Sequence, residues 1–198
     1  MRIGLLGGTF DPIHYAHLFI AEDARSRLEL DRVLIVPNGV PPHKKPYAAS
    51  PPEQRLRMVE LALADSEHLD ADDTEVRASG LSYTVETLRA MGRRFPDHEI
   101  VFITGVDAVA EIGTWHEPDE VVRLCRMVAV SRPGRTFADL EDAVPARLLS
   151  RIELMVTPEI GISSTSIRSR VARGLPIRYL TPNHVVDYIA AHRLYRDA

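Results

Sequence analysis

The sequence predicts a doubly wound α/β fold, with a mainly parallel sheet and helices on both faces. Three observations carry this prediction. Short apolar runs recur along the 198 residues with helix-like stretches between most of them. The first run, Ile3-Gly4-Leu5-Leu6, passes through Gly7-Gly8 directly into an amphipathic segment, which is how a strand–turn–helix unit opens. Several helix starts and stops are also punctuated by proline, hydroxyl residues or glycine. Folds of this class bind ligands beyond the carboxyl ends of their strands, so chemistry is expected there.

Taken in order, the strand at Ile3–Leu6 is followed by a helix from about His14 to Leu28, with Leu18, Ile20, Ala21, Ala24 and Leu28 at helical spacing. A second strand is read at Val33–Val36. The segment Pro37-Asn38-Gly39-Val40-Pro41-Pro42-His43-Lys44-Lys45-Pro46-Tyr47 after it is too rich in proline for a central strand. Ser50-Pro51-Pro52-Glu53 reads as a capping box that opens a helix through Leu56, Val59, Leu61 and Leu63. The acidic run Asp65–Asp73 reads as solvated surface with no metal role, and Thr74–Arg77 as the third strand. A helix begins near Ser82. Further strands are expected at Ile100–Thr104, Met127–Val130 and Glu153–Val156. After the last strand, the hydroxyls of Ser163-Ser164-Thr165-Ser166 suit a helix N-terminus, and Gly174 suits its end. Thr181-Pro182 opens a final helix through Val185, Val186, Tyr188 and Ile189. One domain over 1–198 is expected, with the helices from about 163 to 198 forming a small subdomain.

Composition limits the partners. A net charge of −4 and a pI near 6.1 argue against a general nucleic-acid or membrane-surface binder, so any attraction for phosphate must be local. The apolar runs are too short for export or membrane insertion, and the single cysteine, Cys125, fits a buried apolar position in a cytoplasmic protein. Composition does not decide between monomer and homo-oligomer.

Two segments carry chemistry. In Gly7-Gly8-Thr9-Phe10-Asp11-Pro12-Ile13-His14-Tyr15-Ala16-His17, the glycines let backbone N–H groups approach a ligand. His14 and His17 share one face at the positive end of the following helix. Together they form a cluster of donors for an anionic oxygen. In Ile162-Ser163-Ser164-Thr165-Ser166-Ile167-Arg168, hydroxyls and helix N–H groups can hold phosphate oxygens, with Arg168 adding a planar, permanently charged fork.

Gly8-Thr9-Phe10-Asp11-Pro12-Ile13-His14-x-x-His17 resembles the signature of the nucleotidyltransferase superfamily that includes the class I aminoacyl-tRNA synthetases. Along essentially its whole length the chain is similar to the bacterial nicotinate mononucleotide adenylyltransferases. The resemblance implies a nucleotidyltransferase fold and adenylyl transfer from ATP to nicotinate mononucleotide, with Mg²⁺ held mainly by the triphosphate rather than by protein ligands. It assigns His14, His17, Lys44 and Arg168 to transition-state charge, Lys44 lying in a P-P-H-K loop. It assigns Gly8, Thr9, Phe10, Gly105, Asp107, Arg132, Ile162, Ser164 and Thr165 to ATP, and Tyr83, Thr84 and Trp115 to the mononucleotide. One departure is Ala16, where the family has glycine; adenine is then expected to meet a methyl group rather than bare backbone.

Other acceptors remain open within the superfamily, namely nicotinamide mononucleotide and pantetheine phosphate. A non-catalytic nucleotide sensor would lack transfer groups, and His14, His17, Lys44 and Arg168 are all present. A synthetase fragment is disfavoured by the lack of K-M-S-K-S lysines.

Overall fold

The computed structural model describes residues 1–40, 50–131 and 138–196. Leu5 is fully buried on one side of a central strand and Leu6 on the other, and this alternation organises the molecule. The strand is β1 (Arg2–Gly8). Beside it lie β2 (Arg32–Pro37), β3 (Leu69–Ala71), β4 (Glu99–Gly105), β5 (Arg126–Ser131) and β6 (Ile152–Val156). The six strands pair in the order β3-β2-β1-β4-β5-β6, every pair parallel. Parallel neighbours require crossovers that cover the faces, and both faces are covered.

On one face Leu6, Val33, Ile35, Ile103, Val128 and Met155 meet α1 (Tyr15–Arg27), α2 (Pro52–Ala62), α9 (Ser164–Ala172) and α10 (Asn183–Ala191). On the other, Leu5, Leu34, Phe102, Met127 and Ile152 pack against α4 (Thr84–Arg94), α5 (Val106–Ala110), α6 (Pro118–Leu124) and α8 (Ala146–Leu149). The short helices α3 (Thr74–Arg77) and α7 (Ala138–Glu141) complete the set. The doubly wound architecture is therefore as expected. The C-terminal helices enter the first of these cores through Ile167, Val185 and Ile189.

Three local expectations are corrected. The third strand is Leu69–Ala71, inside the acidic run read as solvated surface, whereas Thr74–Arg77 is helical. Period-two burial is what fixes a strand, and here Leu69 alone turns its apolar side chain fully inward, while Asp70 stays on the sheet edge beside Arg32. The buried Asp72 carboxylate then accepts from the Thr74 N–H at 3.0 Å, a turn that starts the helix instead of extending the strand. Finally, α2 is not opened by a Ser50 capping box, since its cap is Pro51. Ser50 is drawn away because its N–H donates to the Asp11 carboxylate at 3.3 Å.

Candidate active site

Sheet order reverses direction between β1 and β4, and the crevice at such a switch point is the place where open α/β sheets bind ligands. A cleft of about 660 Å³ lies there, walled by the carboxyl ends of β1, β4, β5 and β6 and by the first residues of α9. It brings together Gly8, Phe10, His14, Ala16, His17, Gly105, Asp107, Ile162 and Ser164. Gly8 is required by close approach, because a Cβ there would press into the Phe10 ring, which folds back beneath it with φ of +50°.

His14 caps α1 in extended conformation and stacks on His17, with ring centroids 3.6 Å apart. The Phe10 ring meets His17 edge-on at 5.0 Å. Burial pushes the His14 imidazole down to about 4 and that of His17 to about 3, the neighbouring His14 adding to the effect on His17. Both rings are neutral at pH 7. The His14 backbone N–H donates to His17 Nδ1 at 3.3 Å, so Nδ1 is an acceptor and the His17 proton must sit on Nε2. His14 Nδ1 is buried with no hydrogen-bond partner among the described residues, a cost that a ligand could relieve.

The two motifs from opposite ends of the chain are joined directly. Ser164 Oγ donates to the Pro12 carbonyl at 2.9 Å, and one Arg168 terminal nitrogen donates to the Asp11 carbonyl at 2.7 Å. Ser163 caps α9 by accepting from the Ser166 N–H, as its hydroxyl cluster suggested. Arg168 is only 9% exposed, and its other terminal nitrogen donates to Thr165 Oγ1 at 3.3 Å. Neither Arg168 nor Thr165 lines the cleft. Thr9 lies behind it, its carbonyl accepting from Arg55 at 2.8 Å. Lys44 and Arg132 lie outside the described residues.

The expected acceptor residues form a second group on the other face of the sheet. Tyr83 caps α4 and its ring lies 4.6 Å from that of His116; Thr84 is the first helical residue, where N–H groups have no intrahelical partner. Trp115 follows a 3₁₀ turn (Ile112–Thr114) and meets Phe102 edge-on at 6.4 Å. Phe102 in turn is the ring that a Cβ on Gly7 would touch, so this group adjoins the glycine turn. Sequence reasoning missed His116 and Arg89. Arg89 grips the Glu117 carboxylate with both terminal nitrogens, at 3.1 and 2.7 Å, and so holds the left-handed turn after Trp115.

Among the described residues no three His, Cys, Asp or Glu side chains gather as a metal site, and no helix is long and apolar enough to cross a membrane. Asp107 and Glu159 are the cleft's carboxylates.

Fold and cleft together define a nucleotidyltransferase-type protein, and a family model described as cytidylyltransferase-like matches residues 5–170. The chain belongs to that family. Within it, similar proteins include a probable nicotinate-nucleotide adenylyltransferase of Roseiflexus sp., 46% identical over 98% of both chains. Another of the same description from Moorella thermoacetica is 43% identical, over 98% of this chain and 92% of the relative. The fold is shared with Plasmodium falciparum nicotinic acid mononucleotide adenylyltransferase complexed with NaAD, at a TM-score of 0.79 and 20% identity, covering 98% of this chain and 97% of that one.

Proposed function

We propose that this protein transfers the adenylyl group of ATP to nicotinate mononucleotide, forming nicotinate adenine dinucleotide and pyrophosphate. The observation that carries the reading is the direct joining of the two phosphate motifs, Ser164 to Pro12 and Arg168 to Asp11, around one switch-point cleft. The activity named for relatives at 43–46% identity supports the choice of acceptor.

A phosphate oxygen of the mononucleotide attacks the α-phosphorus of ATP as the bond to the β-phosphate oxygen breaks. The nucleophile is already ionised, so no general base is needed and the protein contributes positioning and charge stabilisation. His17 donates through Nε2–H and His14 through one ring N–H to α- and β-phosphate oxygens. Lys44 offsets charge on the leaving pyrophosphate. Arg168 acts at that end chiefly by holding the Asp11 backbone and Thr165, with Ser164 and Ile162 framing the nucleotide and Asp107 accepting from ribose. Gly8, Thr9 and Phe10 shape the triphosphate turn, Gly105 leaves room beside it, and Arg132 supports the nucleotide. Ala16 presents its methyl group to adenine. Mg²⁺ held mainly by the triphosphate would shield its charge; among the described residues the cleft's carboxylates are Asp107 and Glu159, which fits an ion that keeps most of its waters. Tyr83, Thr84 and Trp115 receive the nicotinate ring. The lone cysteine and the apolar runs too short to span a bilayer favour a cytoplasmic setting.

Pyrophosphate release from ATP, measured with nicotinate mononucleotide, nicotinamide mononucleotide and pantetheine phosphate in turn, tests the reading. The nicotinate form is expected to be the best substrate. Preference for either of the others overturns the acceptor, and release with none of the three overturns transfer.

A further inference from the structure

Helix α2 carries an arginine on its apolar face. Arg55 stands at i, with Met58 and Val59 at i+3 and i+4, and all three are buried. A buried guanidinium is tolerated only when its donors are satisfied, and Arg55 satisfies them on three separate segments. Its Nε donates to the Ser50 carbonyl at 3.0 Å. One terminal nitrogen donates to the Thr9 carbonyl at 2.8 Å and to Asn38 Oδ1 at 2.9 Å. The other donates to the carbonyls of Asn38, at 2.6 Å, and Gly39, at 3.1 Å.

Gly39 passes the constraint onward. Its N–H donates to Ser82 Oγ at 3.1 Å, and the Ser82 N–H donates back to the Val40 carbonyl at 2.8 Å. A Cβ on Gly39 would collide with the Glu75 carbonyl and Ser82 Oγ, so the two segments are in contact without slack. Ser82 immediately precedes the cap of α4. Thr9, beside the phosphate cleft, and the start of α4, at the acceptor end, are thus referenced to one side chain.

We propose that Arg55 is a positioning residue that sets the spacing between the phosphate half of the site and its acceptor half. This rests on the adenylyl-transfer reading above. In-line attack depends on that spacing more than binding does, because each substrate has its own half, and a misplacement of about 1 Å can cost about 10²-fold in rate. Lysine cannot substitute: its ammonium has three donors and no fork with which to bridge these five acceptors.

The test is Arg55→Lys, with turnover measured beside calorimetric titrations of ATP alone and nicotinate mononucleotide alone. Turnover is expected to fall by about 10²-fold. Both dissociation constants should stay within about threefold of wild type, a difference of less than 1 kcal/mol, at one site per chain. Wild-type turnover overturns the inference, as does a loss explained by fewer binding-competent chains each turning over normally. Weakened binding of either substrate in step with turnover overturns it too. Should Arg55→Lys fail to fold, Ser82→Ala removes the hydroxyl that accepts from the Gly39 N–H and that also bonds the Glu75 carboxylate, so it loosens the same link at Gly39, and its turnover should drop by about tenfold at unchanged affinities. Normal turnover there overturns the inference. If the wild type itself does not adenylylate nicotinate mononucleotide, the functional reading fails instead.

Discussion

The backbone N–H of His14 donates to Nδ1 of His17, and the two rings stack 3.6 Å apart at the entrance to α1. One hydrogen bond therefore sets the position of the proton that His17 presents to a ligand, because a ring whose Nδ1 accepts must carry its hydrogen on Nε2 when neutral. A donor locked in this way loses little on meeting a developing negative charge. His17→Ala is expected to lower turnover by about 10²-fold or more with the fold intact, the scale found when one preorganised transition-state donor is removed. Arg168→Ala is expected to lower turnover too, through the Asp11 backbone that it holds, and to lower the melting temperature, because the Asp11 carbonyl loses its partner in a buried setting. Steady-state kinetics and thermal melts of both variants check these outcomes. Near-normal turnover in either removes its role.

The same pair makes stability depend on pH. Free histidine titrates near 6.5, whereas burial lowers His14 to about 4 and His17 to about 3. Between those values and 6.5 the unfolded chain binds more protons than the folded one, so stability is fully present above 6.5 and is lost as pH falls towards 3. Two such groups give a slope of at most about 3 kcal/mol per pH unit. Urea unfolding at pH 7, 6 and 5 should show a steeper acid loss in the wild type than in a His14→Asn, His17→Gln double variant. Equal slopes would mean that the rings titrate normally in the folded protein.

What could be read from the sequence was what is local in the chain. His14, His17, Ser163 and Gly174 are arranged by turns and caps only a few residues long, and the structure finds them as expected at the ends of α1 and α9. Arg55 was not legible, since a charged residue on an apolar stripe gives no hint that its acceptors lie on Thr9, Asn38 and Gly39. The third strand was misplaced for a related reason: an edge strand of three residues needs one buried apolar side chain, and Leu69 supplies it amid acidic neighbours. Arg89 and His116 owe their places to the fold's register, which brings α4 beside the turn after Trp115.

Trp115 is only partly buried and stands perpendicular to the Phe102 ring, so the indole is expected to serve as a platform for the pyridine ring. Trp115→Ala should raise the KM for the mononucleotide far more than that for ATP. Loss of stacking is expected to cost about 1–3 kcal/mol, by analogy with base–aromatic contacts. Parallel increases in both KM values would indicate collapse of the core around Phe102 instead of loss of a platform.

On the proposed reading, the choice of nicotinate over nicotinamide is expected to rest on what α4 offers. Segments 82–88 and 113–116 contain no arginine or lysine, so a carboxylate there is expected to be met chiefly by the N-terminal amides of α4 and the Thr84 hydroxyl. The positive end of a helix suits an anion. An amide would turn its own N–H towards those donors and leave at least one of them unpaired, at about 1–3 kcal/mol, or between several-fold and somewhat over a hundredfold in specificity. The wild type is therefore expected to prefer nicotinate mononucleotide by at least about tenfold in kcat/KM. Thr84→Val should narrow the gap chiefly by harming the acid substrate, because the valine keeps the helix start but removes one donor. Competition between the two mononucleotides in a single reaction, resolved by product chromatography, measures the ratio directly. Equal efficiencies in the wild type would exclude α4 as the carboxylate site, even with every phosphate contact in place.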